Sequence, residues 1–162
     1  MIAYKFLRRD GCGIFSGFAW PAPGEWVEAV AVECESGVHA CRVGDLPYWV
    51  ARSLWEVELD GEVLEGRTKV VASRGRLVRR IEAWDDEARD AYVDMCAERA
   101  HELARSAGPG WDDVIEPSKP EGAALLGFIA ARIAEANEGP EAYHRERVSQ
   151  ARWLVDRLGL RT

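Results

Sequence analysis

Leu54-Trp55-Glu56-Val57-Glu58-Leu59 alternates with the two-residue period of a half-buried strand. That period puts Trp55, Val57 and Leu59 on one face, toward a core, and Leu54, Glu56 and Glu58 on the other. Asp60-Gly61 follows as a hairpin-type turn into Glu62-Val63-Leu64. Outward from this stretch the same character recurs. Ile2 to Leu7 alternates in the strand manner, and Trp26 to Val32 reads Trp-Val-Glu-Ala-Val-Ala-Val. Lys69 to Ala72 and Gly75 to Ile81 read as two further short strands. Asp45-Leu46-Pro47 reads as an N-cap with proline in the first turn, starting a short helix through Arg52.

Near Ala83 the period changes from two to 3.6. Asp85 can cap a helix reaching about Ala107, with Ala88, Ala91, Tyr92, Met95, Cys96, Ala100 and Leu103 at helical spacing, and Gly108-Pro109-Gly110 ends it. Trp111 to Lys119 reads as a loop. A second helix is expected over Pro120 to Ala136, and a third after Asn137-Glu138-Gly139-Pro140, reaching Leu158. The expected fold class is α+β: a β-rich domain with one short helix over residues 1–82, and a three-helix segment over 83–162 packed with it as one unit.

With 162 residues, 48% hydrophobic and 30% charged, the composition is that of a globular protein. A net charge of −7 argues against a nucleic-acid backbone as general partner. No apolar run approaches the roughly 20 residues of a membrane helix. The basic pair Arg8-Arg9 follows the short apolar run at the start, the reverse of a secretory leader. The expected location is therefore cytoplasmic, with all four cysteines reduced. Eighteen arginines against three lysines fit a high-GC bacterial genome.

Chemistry has its best foothold in Cys34-Glu35-Ser36-Gly37-Val38-His39-Ala40-Cys41. A zinc site needs four ligands, and Cys34, His39 and Cys41 with Cys12 from the glycine-flanked loop would make a Cys3His set. A thiol enzyme would pair His39 with Cys34 or Cys41, as base and nucleophile. The simplest reading makes Cys34 and Cys41 small buried hydrophobes, with His39 bracing the turn through a backbone hydrogen bond.

Other features carry less. Glu98-x-x-His101 and Glu141-x-x-His144 match a di-iron pair, but an up-down-up bundle keeps them apart, and Glu121 and Glu135 lie at opposite ends of the second helix. Asp86, Asp90 and Asp94 form a stripe read as a solvated face. Arg74, Arg76 and Arg80 would share a strand face able to meet a phosphate or carboxylate, with pairing to acidic residues the simpler account. Phe15 to Gly24 is apolar but full of turn formers, so it does not read as regular strand. It is expected to fold over the core as a lid, the alternative being an exposed recognition surface.

Several of these residues also carry a resemblance. Ala3-Tyr4-Lys5, Cys12, Phe18-Ala19-Trp20-Pro21, Cys34-x2-Gly37-Val38-His39-Ala40-Cys41, Trp55-Glu56-Val57-Glu58, Gly61-Glu62-Val63 and Lys69-Val70-Val71-Ala72 occur in this order. Residues 1 to 82 thereby resemble an uncharacterised bacterial and phage family of small domains, some of which precede pentapeptide repeats. The family has an aromatic residue where this chain has Val38. The resemblance implies a small α+β domain and names no reaction.

Three functional expectations follow. The first is a small cytoplasmic binding or regulatory protein for a small molecule or protein, with a cleft between the two halves lined by Trp20, Trp49, Trp55 and His39 and with Arg76 as an anion contact. The second is an enzyme using His39 with Cys34 or Cys41. The third is a zinc-stabilised interaction domain.

Overall fold

A computed structural model describes residues 1–119 and 122–161, and the fold is α+β. The chain divides into two compact units, Met1–Trp84 and Asp85–Thr162.

In the first unit, β1 (Ile2–Leu7), β2 (Val27–Glu28), β3 (Val38–Ala40), β4 (Ser53–Glu65) and β5 (Val70–Arg80) form one antiparallel sheet. The order is β1-β4-β5-β2, and β3 pairs with β5 beside β2. Tyr4 and Cys41 exchange backbone hydrogen bonds of 2.9 and 2.8 Å, so the outer edge of β1 meets the chain leaving β3. The curled sheet encloses Ala3, Leu7, Val38, Val57, Leu59 and Leu77, with Trp20, Val27 and Trp55 packed against that cluster. Trp55, Val57 and Leu59 do face the core.

Two bulges reset what the sequence pattern predicts. Asp60-Gly61 is no hairpin turn: β4 runs on to Glu65, and Asp60 pairs with Arg74 while Val63 pairs with Ala72. Gly61 and Glu62 thus oppose Ser73 alone, and Gly61 takes φ +74°, which suits glycine. The reversal comes later, where the Gly66 amide donates to the Lys69 carbonyl at 2.9 Å, and Arg42 braces it through the Gly66 and Arg67 carbonyls. Consequently Lys69 to Ala72 and Gly75 to Ile81 are not separate strands but one, β5.

Within β5 a second bulge leaves Val78 unopposed between the pairs Glu56–Arg79 and Val57–Leu77. The slip puts Arg79, not Arg80, on the face of Arg74 and Arg76, because Arg80 pairs with Trp55. Those three arginines meet Asp60, Glu58 and Glu56 across the strand in ion pairs. Of Trp26 to Val32 only Val27–Glu28 is strand, since the chain then leaves β5 and Val30 is exposed. The short helix is a 3-10 helix over Val43–Tyr48, with Asp45 inside its first turn and bound by Arg42 at 2.6 Å.

Among the described residues the second unit has four helices: α1 (Asp86–Ala107), α2 (Asp112–Ser118), α3 (Ala123–Glu138) and α4 (Pro140–Leu158). Asp85 caps α1 by accepting from the Ala88 amide at 2.8 Å. The expected loop Trp111–Lys119 instead holds α2, whose Asp112 and Glu116 carboxylates meet the two ring nitrogens of His101. Pro120, the expected start of the next helix, and Glu121 lie outside the described residues. α3 packs against both α1 and α4 through Leu126, Ile129, Ala130 and Ile133. Asp86, Asp90 and Asp94 are exposed.

Candidate functional site

Lys5 is the odd residue of β1. Strand alternation puts it on the face of Ala3 and Leu7, both in the core cluster, while Tyr4 and Phe6 face the other way. Its ammonium donates to the His39 carbonyl at 2.5 Å and stands 5.3 Å from the centre of the Trp20 ring. No carboxylate among the described residues lies within ion-pair distance of it. Burial lowers its pKa to about 8, against a weaker opposing effect from Cys41.

Around this amine lies a cavity of about 700 Å³, built from residues of the first unit alone. That volume is in the range of small-molecule sites. One wall is the segment between β1 and β2. There Gly13 accepts from Gly17 and donates to the Phe18 carbonyl, folding Phe15, Phe18 and Trp20 into an aromatic flap. Phe15 packs edge-on to Trp49 and Phe18 edge-on to Trp20, with centroids 5.9 and 6.0 Å apart. The expected covering of the core is thus Trp20's role, while Phe15 is 83% exposed.

The Cys34–Cys41 block also lines the cavity. Val32 and Ser36 pair across a tight loop in which Cys34 takes φ +66°, the one non-glycine positive φ among the described residues. Gly37, at φ +108°, lies so close to β5 that a Cβ there would stand 2.7 Å from Val71 and 3.1 Å from the Ala72 carbonyl. Only glycine lets the loop press onto β5 and enter β3.

The four proposed zinc ligands do not converge. Cys12 Sγ faces the Asp10 carbonyl, Cys34 Sγ accepts from Lys69 Nζ at 2.9 Å, and Cys41 Sγ donates to the Tyr4 carbonyl at 3.4 Å. His39 Nδ1 lies 3.1 Å from the Gly37 carbonyl, which can only accept, so this nitrogen carries the proton. Among the described residues no group of three or more His, Cys, Asp or Glu side chains could hold a metal. The Cys3His expectation is therefore corrected: Cys12, His39 and Cys41 turn to separate backbone carbonyls and Cys34 to the Lys69 amine.

Cys41 is also corrected as a nucleophile. It is buried, and burial pushes its thiol up, far from thiolate at neutral pH. Cys34 is exposed and lines the cavity beside Lys69. Burial lowers the pKa of His39, which keeps its ring neutral. Cys12, Cys34, Cys41 and Cys96 are all free thiols.

Of the ligand-contact expectations, Trp20, Trp49 and His39 reach the cavity, and Trp55 and Arg76 do not. Trp55 packs on the sheet core and donates to Ser53 Oγ at 3.3 Å. Arg76 is engaged by Glu58 at 2.7 Å and stacks on Trp26 at 4.6 Å. Sequence reasoning did not single out Lys5 or Lys69 as site residues, and it named Phe15 only within the Phe15–Gly24 segment. The signal for Lys5 was present, since a lysine between Ala3 and Leu7 on a core face breaks the strand's own pattern.

Neither a curated protein nor a solved structure matches this chain. A family described as Domain of unknown function (DUF7666) matches residues 1–89, which contain every residue of the cavity, and the chain belongs to that family.

Proposed function

We propose that the protein is a small-molecule binding or regulatory protein whose ligand occupies the cavity between the aromatic flap and the Cys34–Cys41 block. One observation carries this reading: a cavity of about 700 Å³ has aromatic side chains on its wall and a lysine without a carboxylate partner at its base. A pocket with apolar walls and few convergent polar groups is the usual build of a ligand site. Phe15 supports it too, because a large aromatic side chain left 83% exposed at a pocket edge gains its burial when a ligand arrives. A bacterial cytoplasmic setting is part of the proposal, supported by the arginine bias and the free thiols. No described helix is long and apolar enough to cross a membrane. The net charge of −7 favours a small molecule over nucleic acid.

The test is a screen of aromatic fragments by ligand-observed NMR against the wild type and Trp20→Ala. Hits that displace one another and weaken at least fivefold in Trp20→Ala are expected. Hits indifferent to that substitution, or no hits at all, overturn the reading.

A thiol enzyme is a second reading, and the observation favouring it is the exposed Cys34 thiol in contact with the Lys69 amine. Iodoacetamide should then modify Cys34 at least tenfold faster than Cys12 at pH 7, and Lys69→Met should remove the difference. Equal rates count against it.

A further inference from the structure

We propose that the ligand is a small planar monoanion, an aromatic or conjugated carboxylate, whose charge is met by the Lys5 ammonium. This rests on the cavity being a ligand site and adds the chemistry of what enters it.

The argument begins with charge. Lys5 projects from the core face of β1 into the cavity, and its polar contacts are a carbonyl oxygen and the face of an indole ring. Both favour a cation, but neither carries a full negative charge. A partly buried ammonium with no counter-ion is costly, and a ligand carboxylate supplies what the protein leaves out.

Planarity follows from the walls. Trp20 and Phe18 form one edge-to-face pair and Phe15 and Trp49 another, so flat apolar surface borders the amine. A single charge follows from the other groups facing Lys5 and the cavity. His39 is neutral, Cys41 is a thiol, and Lys69 is turned to Cys34 Sγ. Glu28 and Glu35 stand at the exposed rim, with Glu28 held by Arg74 at 3.1 Å. One interior amine balances one carboxylate, while a dianionic phosphate would face these glutamates with half its charge unmet. The cavity also lacks an arginine fork, the usual partner of a phosphate.

Because the amine in the free protein sits near pH 8, anion binding there draws a proton onto Lys5. Affinity for a carboxylate should therefore fall above pH 8, while affinity for a neutral analogue should stay level.

The experiment uses the full chain and three probes of one shape: 2-naphthoate, 2-naphthamide and 2-naphthylmethylamine, with binding read from tryptophan fluorescence between pH 6.5 and 10. At pH 7 the carboxylate should bind at least tenfold tighter than the amide, and the amine most weakly. The advantage should shrink tenfold between pH 8 and 10. Lys5→Met should abolish it with amide binding retained, and Lys5→Arg should keep it through pH 10. Equal binding of carboxylate and amide in the wild type overturns this inference alone. Failure of all three probes, together with an empty fragment screen, overturns the cavity reading and this inference with it. The wild-type pH series decides the question even if a Lys5 variant does not fold.

Discussion

Lys5 costs the folded chain stability, and the sign of that cost is testable. Its pKa is about 8 in the folded state against 10.5 for an unburied lysine. Below pH 8 both states hold the proton and the folded one bears the burial penalty, on the order of 3 kcal/mol. Between pH 8 and 10.5 only the unfolded chain still holds it, so stability from this group rises with pH. Lys5→Met should raise stability at pH 7 by about 2 kcal/mol, allowing for the lost hydrogen bond to the His39 carbonyl. In urea titrations the gain should vanish by pH 10.5, and a variant no more stable than wild type at pH 7 refutes the account. Cys34 is a second residue kept at a cost. At φ +66° a side chain is strained and glycine is not. Cys34→Gly should stabilise the first unit by about 1 kcal/mol, read as a rise in urea midpoint. A loss of stability would mean that the Lys69 contact outweighs the strain.

At the scale of elements, β4 and β5 show where a sequence pattern carries and where it fails. The strands Leu54–Leu59 and Ile2–Leu7 were legible from alternation and β-rich composition, although both bury residues on both faces. Tyr4 and Phe6 lie opposite Ala3 and Leu7, and Leu54 and Glu56 opposite Val57 and Leu59. Asp60-Gly61 was not legible, because a glycine bulge and a hairpin turn call for the same positive φ and the same small polar neighbour. What separates them is pairing partners far along the chain. The same limit hid the face of the arginines, since one unopposed residue at Val78 exchanges Arg80 for Arg79. α2 was missed because seven residues containing Pro117 are too short for a periodic signal, and its fit to His101 is tertiary. In the site, the aromatic flap and the Cys34–Cys41 wall could be named from the sequence, but the direction of each sulfur could not. Gly61→Ala tests the bulge. A Cβ at φ +74° would stand 2.3 Å from Ser73 Oγ, the atom that accepts from the Glu62 amide. The substitution should cost about 1–2 kcal/mol. A neutral result would mean that β4 and β5 can re-register at no cost.

Across the whole molecule the buried titratable groups fall unevenly, which gives the two units different responses to alkali. In the first unit Lys5 gains stability from pH 8 to 10.5, while Cys41, its thiol raised by burial, loses it above about pH 9, where an unfolded thiol ionises. The two nearly cancel between pH 9 and 10.5. Toward acid, His39 is lowered by burial, so this unit weakens as pH falls below 6.5 and the unfolded imidazole takes up its proton. Among its described residues the second unit has no buried amine to offset its acids. Cys96 is pushed up to about 12 and Tyr92 well above 10, chiefly by burial, beside a network of Arg147, Gln150 and Glu146 that packs closely around Gly127. From pH 9 to 10 Cys96 alone should lower the helical unit's stability by about 1 kcal/mol, with Tyr92 adding to the loss above pH 10. Hydrogen exchange with mass-spectrometric readout separates the units. With rates corrected for intrinsic base catalysis, peptides from α1, α3 and α4 should lose protection between pH 9 and 10 while those from β4 and β5 hold theirs. Cys96→Ala should flatten the response of the helices, and Lys5→Met should make the sheet lose protection alongside them. Parallel loss in the wild type would show that the alkaline limit is set by charges outside these buried groups.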